Sequence, residues 1–195
     1  TILEPKPVRT ARRRRPTIYA GGESEAAKTM IARQCDAYVM HGDPVERIAA
    51  RVADLRARRD RLAEAAARAG DPVPAPLSFG MAAYAIVRDT EAEARRELTR
   101  ITDVSQGSPG FGNYQDWVNN TQVESRVSLE DYSVSNRGLR AGFVGTPEQV
   151  AERVRAYQDA GVDLLLLQSS PQLEEMERFA ETVMPLVPAA VAVAA

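Results

Sequence analysis

Thr146-Pro147-Glu148-Gln149-Val150, followed after Gly161 by Val162-Asp163-Leu164-Leu165-Leu166-Leu167, is the stretch that decides the fold. Thr146 with Gln149 forms a capping box, and Pro147 takes the first helical position, where its missing N–H costs nothing. Val150, Val154 and Tyr157 recur at helical spacing until Gly161 stops the helix. The apolar run Val162 to Leu167 then has the length and continuity of a strand buried on both faces, and it reads as the most buried strand of the chain. A last helix is expected from about Pro171 to Leu186, ahead of an Ala/Val tail over 189–195. Helix–strand–helix with short connections is the unit of a parallel α/β sheet.

Working toward the N-terminus, the same unit repeats. Thr17-Ile18-Tyr19-Ala20 reads as a short strand leaving through Gly21-Gly22, with a helix over 24–34 capped by Ser24. Asp36-Ala37-Tyr38-Val39-Met40 reads as a second strand ending at His41-Gly42-Asp43. Pro44 then opens a long helix to about Ala69, with Asp43 as its expected N-cap and Gly70 as its stop. Pro72, Pro74 and Pro76 mark a linker into a third strand, Leu77 to Val87, and a charged helix over 90–101 follows. Residues 104–140 form a long irregular insertion rich in Gly and Asn that holds the single Trp117; part of it, 114–131, has helical character. Insertions of this length in compact proteins are usually lids or disordered segments. Four βα units are half of what a (β/α)₈ barrel of roughly 250 residues requires. The expected fold is therefore α/β: half a barrel or a small open sheet, with 1–195 as a single partial domain and 104–140 as a lid-like insertion.

Composition narrows the function. The chain has 195 residues, 44% hydrophobic and 27% charged, with a formal net charge of −2. This is an ordinary globular balance, without the basic excess of a nucleic-acid binder. Arg12 to Arg15 read either as a phosphate or membrane patch or as a solvated loop before the first strand. One cysteine, Cys35, excludes an internal disulfide framework and fits a reducing, cytoplasmic setting. No apolar run approaches the roughly 20 residues that span a bilayer, and the N-terminal sequence lacks the basic-then-apolar pattern of a signal peptide. The chain has no initiator Met and opens in turn-like Glu4-Pro5-Lys6-Pro7, which suggests a fragment or a truncated reading frame.

In parallel α/β sheets, chemistry sits at the C-terminal ends of strands. Gly21-Gly22-Glu23-Ser24 joins a strand to a helix N-terminus, where backbone N–H groups and a hydroxyl favour an anion; a plain tight turn is the alternative. His41, the single histidine, and Tyr84 on the third strand are the candidate proton-handling groups, each balanced against a purely structural role. One His and one Cys are too few for a zinc site. With neither a Walker loop nor a nucleophile elbow, the remaining readings are a cofactor enzyme or a non-enzyme.

The chain as a string resembles the second half of the bacterial-luciferase-like flavin-dependent monooxygenases. Pro16 through Ala27 looks like the segment around the exit of their fifth barrel strand, and Asp36-Ala37-Tyr38-Val39-Met40-His41-Gly42 like their sixth strand. Phe79-Gly80 through Asp89 looks like the seventh. Gly142 through Ala151 and Gly161 through Gln168, with Pro171 and Leu173-Glu174-Glu175, look like the last helix–strand–helix unit. Within the class, Asn113 to Trp117 and Tyr132 to Arg140 look most like the dimethylsulfone monooxygenases. The resemblance implies a luciferase-like TIM barrel of which this is the C-terminal half. It implies reduced FMN (FMNH₂) as cofactor, supplied by a separate NADH- or NADPH-dependent FMN reductase, and O₂ as co-substrate. It further implies a small organosulfur substrate such as dimethylsulfone, cleaved to methanesulfinate and formaldehyde. Gly21, Gly22, Glu23 and Ser24 match the FMN phosphate turn, and Arg137 and Arg140 fall where the mobile lid of the family carries an arginine. A closed lid excludes water from the reactive flavin.

One departure is informative. The related alkanesulfonate monooxygenases carry an Arg-x-His pair on the seventh strand, where this chain has Ala82 and Tyr84. An anionic sulfonate calls for an arginine, so its loss suits a neutral sulfone. The other departure is length, because the first four strands of the family are not in this sequence. Two further readings follow: a non-catalytic half-barrel that self-associates through its open edges and binds a flavin or phosphate, and a relative that uses the deazaflavin F420, against which the lid sequence argues.

Overall fold

The computed structural model describes residues 16–103, 105, 107, 109–120, 128–129, 132 and 138–187. Its sheet is organised by the longest strand, β3 (Ser78–Val87), which follows β1 (Tyr19–Ala20) and β2 (Ala37–His41) in the chain. Residues Gly80 to Ala82 pair in parallel with β2 and also with β5 (Leu164–Gln168), so these two strands occupy opposite edges of β3. β1 pairs with the outer edge of β2, Tyr19 opposite Ala37. The main order is therefore β1-β2-β3-β5, all parallel. A short strand the sequence did not announce, β4 (Phe143–Gly145), pairs with the upper end of β3 over Ala85 to Val87. Successive βα units lying side by side in chain order is the arrangement of a barrel segment.

The helices are α1 (Glu25–Gln34), α2 (Val45–Ala69), α3 (Glu91–Ile101), α4 (Pro109–Asn120), α5 (Pro147–Asp159) and α6 (Gln172–Thr182). Alternation along β2 and β3 sends Tyr38, Met40, Phe79, Met81, Ala83 and Ala85 to one face. There they pack with Ile31 of α1, Ile48, Val52 and Leu55 of α2, and Val150 and Val154 of α5. Ile48 and Leu55 have no exposed surface, and burying each contributes about 1.5–3 kcal/mol. A second, smaller cluster joins Tyr84 and Ile86 to Ala94 and Ile101 of α3 and to Leu139.

Two expectations are corrected. Val162 to Leu167 is not the most buried strand: Leu164 is 38% exposed and Leu166 is 47% exposed. β5 is an outer strand of an open sheet; Leu165 and Leu167 reach the helix-side core, whereas Leu164 and Leu166 face away from it. A continuous apolar run reports what the strand is built to bury, and one of its faces is uncovered in this chain. Asp43 is not the N-cap of α2. Pro44 holds that position without any side-chain cap, and the Asp43 carboxylate is turned to Arg51 instead. An ion pair with a cation two turns along the helix has outcompeted the backbone amides.

Within the insertion, helix α4 lies earlier than the expected 114–131. Tyr114 and Trp117 on α4 and Tyr132 form an aromatic group with ring centroids 5.0 to 6.3 Å apart. The insertion thus has an apolar cluster of its own. Arg12 to Arg15, Arg137 and the 189–195 tail lie outside the described residues.

Candidate active site at the strand exits

The β1 exit turn is fixed by its neighbours. Gly22 has φ +151°, and a Cβ there would stand 2.6 Å from Cβ of Ala27, so the turn accepts only glycine at this point. The Tyr38 hydroxyl donates to the Gly22 carbonyl at 3.2 Å, and burial pushes its pKa up, which keeps it a neutral donor. Ser24 caps α1, its Oγ accepting from the Ala27 N–H at 3.2 Å. The hydroxyl proton remains to be donated, and it stands beside the amides of the first helical turn. Glu25 sits in that turn, but its carboxylate is held below the usual range by hydrogen bonds from Arg58 and Lys28.

Glu23 pairs with Arg51 of α2 at 3.1 Å, and the same guanidinium nitrogen lies 2.9 Å from Oδ2 of Asp43. The Asp43 side chain is only 7% exposed, and its Oδ1 has no hydrogen-bond partner among the described residues. The backbone of Asp43 is gripped from the other side: the buried Tyr157 hydroxyl lies 2.8 Å from its carbonyl and 3.0 Å from that of Ala141. One loop after β2 is thereby tied to the β1 exit through Arg51 and to the end of the insertion through Tyr157.

The candidate proton-handling residues share one sheet face. His41 is paired in register with Ala82, Ala82 with Leu166, and Tyr84 with Gln168. Register partners project to the same side, and Tyr84 is two residues beyond Ala82. This is the face directed away from the helix-side core. His41 is exposed there, whereas Tyr84 is 6% exposed and packs in the small cluster under Leu139. The turn that covers Tyr84 begins at Gly138, whose carbonyl accepts from the Tyr84 N–H at 3.3 Å. Gly138 has φ +72°, and a Cβ there would lie 2.9 Å from Cα of Ala83. Arg140, in the following 3-10 turn Leu139–Ala141, is half-buried.

At the end of β3, Arg88 reaches Glu175 of α6 at 2.8 Å and Glu97 of α3 at 3.8 Å, clamping two helices to the strand exit. A cavity of about 580 Å³ lies on the helix side, walled by Ala85, Leu165, Leu167, Met176 and Phe179. It is apolar and on the opposite face from His41, so the strand-exit surface, not this cavity, is the candidate site. No helix among the described residues is long and apolar enough to cross a membrane.

The profile of the Luciferase-like monooxygenase family matches residues 2–164. The chain belongs to that family. It is 37% identical over 194 residues to an FMNH(2)-dependent dimethylsulfone monooxygenase of Pseudomonas fluorescens (strain Pf0-1), covering 95% of this chain and 48% of that protein. It is equally similar, 37% over 197 residues, to a protein of the same name from Pseudomonas putida, covering 95% and 49%. The chain thus spans about half the length of the curated relatives it matches. Among solved structures, it superposes on the long-chain alkane monooxygenase LadA with a TM-score of 0.64 at 22% identity, covering 89% of this chain and 41% of that one. It superposes on DmoA from Hyphomicrobium sulfonivorans with a TM-score of 0.62 at 18% identity, covering 88% and 41%. These likenesses show the fold: this luciferase-like monooxygenase chain has the α/β architecture of half a luciferase-like barrel.

Sequence reasoning singled out the turn, His41 and Tyr84 but passed over Arg51 and the carboxylate role of Asp43. Arg51 is one of seven arginines on α2, and only the fold shows which of them meets the β1 exit. Gly138 was also missed, since nothing in the insertion marks where it returns to the sheet.

Proposed function

We propose that this chain is the C-terminal half of an FMNH₂-dependent monooxygenase acting on a small neutral organosulfur compound, dimethylsulfone in the first place. The observation that carries the reading is the 37% identity along nearly the whole chain to two proteins named for that activity. The geometry agrees with it. The α1 N-terminus, the Gly22 turn and the Ser24 hydroxyl suit a phosphate monoester, since each offers donors or close backbone approach and no side-chain bulk. The backbone amides of Gly21, Gly22 and Glu23 and the hydroxyl of Ser24 would hold the FMN phosphate. Bound reduced FMN supplies two electrons and the centre at which O₂ is activated.

The reaction balances as dimethylsulfone, O₂ and FMNH₂ giving methanesulfinate, formaldehyde, FMN and water. One oxygen atom ends in formaldehyde and the other in water. Ala82 between His41 and Leu166 leaves an uncharged patch at the strand exits, which suits a neutral sulfone better than a sulfonate anion. His41 is the exposed group placed to orient substrate or carry a proton. Tyr84, buried beneath Leu139 on the same sheet face, is the second candidate for handling a proton. By the family resemblance, Arg137 and Arg140 would be the lid arginines, and a closed lid would exclude water. The partners are an NADH- or NADPH-dependent FMN reductase and O₂, in the cytoplasm. The isoalloxazine ring and much of the substrate pocket belong to the half of the barrel that the relatives have beyond this chain's span.

The test is formaldehyde release from dimethylsulfone by the chain reconstituted with the first half of a related barrel, with a flavin reductase and NADH supplying FMNH₂. Turnover that is abolished by omitting the reductase is expected. Turnover of methanesulfonate but not of dimethylsulfone would sink the substrate assignment.

A second reading rests on the open edges. Tyr19 on β1 and Leu164 and Leu166 on β5 are exposed apolar residues on outer strands, and such edges drive self-association. Sedimentation of the isolated chain decides it: a dimer or larger species supports a self-associating binding module, and a clean monomer removes that reading.

A further inference from the structure

We infer that Arg51 is the cation that neutralises the flavin phosphate, that Asp43 holds it in place, and that Glu23 occupies its outer hydrogen-bonding position until phosphate replaces it. This rests on the proposed function, in that the β1 exit turn is taken as the phosphate site. A phosphate monoester carries close to two negative charges at neutral pH. The turn itself contributes amides and a hydroxyl but no cation, and its side chains include two carboxylates, Glu23 and Glu25. Glu25 is already neutralised by Arg58 and Lys28. Arg58 is committed to Glu25 and Asp54, whereas the guanidinium of Arg51 meets the turn at Glu23, 3.1 Å away.

The two anions now sharing Arg51 are not equivalent. Glu23 is 64% exposed, so water readily replaces its share of the ion pair. Asp43 is 7% exposed, and its other cation, the exposed Arg47, stands 3.8 Å away, so losing Arg51 would leave a buried charge poorly compensated. When a dianion enters the turn, Arg51 therefore gives up Glu23 and keeps Asp43. The guanidinium N–H released from Glu23 then donates to the phosphate, while the contact from the same nitrogen to Oδ2 of Asp43 persists. Arg51 is thus a binding residue, Asp43 a positioning residue acting through it, and Glu23 a competitor for the same cation.

The experiment compares FMN with riboflavin, which lacks only the phosphate, by calorimetric titration of the chain reconstituted with the first half of a related barrel, as wild type and as Arg51→Met, Glu23→Gln and Asp43→Asn. Folding of each variant is checked by circular dichroism. In the wild type, FMN is expected to bind more tightly than riboflavin. Arg51→Met should lower FMN affinity about tenfold or more while leaving riboflavin affinity unchanged, as befits loss of a charge-assisted contact to phosphate. Glu23→Gln should raise FMN affinity roughly twofold to fivefold, the range set by an exposed ion pair, again without moving riboflavin. Asp43→Asn should lower FMN affinity in the same direction as Arg51→Met.

If the wild type does not prefer FMN over riboflavin, the turn is not a phosphate site and the functional reading fails with the proposal. If the wild type prefers FMN but Arg51→Met preserves that preference, or weakens both ligands alike, the proposal alone is overturned. Glu23→Gln is exposed and folds independently of the Asp43 contact, so a fall in its FMN affinity would overturn the displacement step even if Arg51→Met fails to fold.

Discussion

Tyr157→Phe tests how the floor of the site is held. The hydroxyl is buried and lies within 3.0 Å of two main-chain carbonyls, those of Asp43 and Ala141. Its single proton satisfies one of them at a time or both weakly. Removing it leaves two buried acceptors without this donor while keeping the ring, whose edge meets Phe143 at a centroid distance of 5.3 Å. The expected loss of stability at pH 7 is about 1–3 kcal/mol, the cost of stranding buried polar groups. A second consequence is specific to this hydroxyl. Burial pushes its pKa up to about 12, from an ordinary value near 10. The unfolded chain therefore releases the proton first. Below pH 10 both states hold it and stability is unaffected; between about pH 10 and 12 the unfolded state is favoured increasingly; above 12 the loss is complete. At pH 11 this amounts to a loss on the order of 1 kcal/mol that the wild type suffers and the phenylalanine variant does not. Urea denaturation at pH 7 and pH 11 should show the gap between the two proteins narrowing with alkali. A gap that stays constant, or a variant as stable as the wild type at pH 7, would refute the claim that this hydroxyl ties the β2 exit to the end of the insertion.

Three further substitutions probe neighbouring parts. Ser24→Ala removes the α1 cap and should cost about 1 kcal/mol in urea denaturation; on the proposed assignment of the β1 exit as the phosphate site, FMN binding should weaken as well. Gly138→Ala introduces a Cβ 2.9 Å from Cα of Ala83 at φ +72°. It should destabilise by about 1–3 kcal/mol in urea denaturation, because the 138–141 turn can no longer sit against β3. Arg88→Met strands Glu175, which is 8% exposed, and should cost about 3 kcal/mol in thermal or urea melts. A loss below 0.5 kcal/mol, roughly the surface-substitution background, would mean the clamp is dispensable.

Local signals were legible where the physics is local. Both hydrogen bonds of the Thr146–Gln149 capping box are present, Ser24 caps α1, and Gly70 ends α2 in the left-handed region, all as composition and spacing indicate. The βα alternation was legible for the same reason, because strand and helix periods differ within a few residues. What was not legible depends on the partner. Asp43 before Pro44 has the sequence of a cap, but Arg51 competes for it, and that competition is visible only once α2 is laid against β2. Leu164 to Leu167 announces a doubly covered strand, yet Leu164 and Leu166 are exposed, because coverage is set by the tertiary neighbours of a strand and not by its own residues. β4 is three residues long and pairs only because Gly138 and Gly142, both at positive φ, fold the 139–141 turn onto β3.

These dependencies converge on one backbone segment, Gly42-Asp43. Gly42 is wedged between the carbonyls of Ala82 and Gly138, each 2.9 Å from where its Cβ would be, so the segment lies against both β3 and the returning insertion. Tyr157 of α5 holds its carbonyl and Arg51 of α2 holds its carboxylate. Four elements therefore fix the residue immediately beyond His41. An exposed imidazole on a loosely held loop would lose considerable rotamer and backbone freedom on meeting a substrate, and that cost would be charged against binding. Here the backbone share is already spent in folding, so His41 is presented at a defined height above Ala82 before any ligand arrives. The same packing holds Asp43, the anchor of Arg51, so on the proposed phosphate assignment the cation would stay within reach of the β1 exit whether Glu23 or a phosphate faces it.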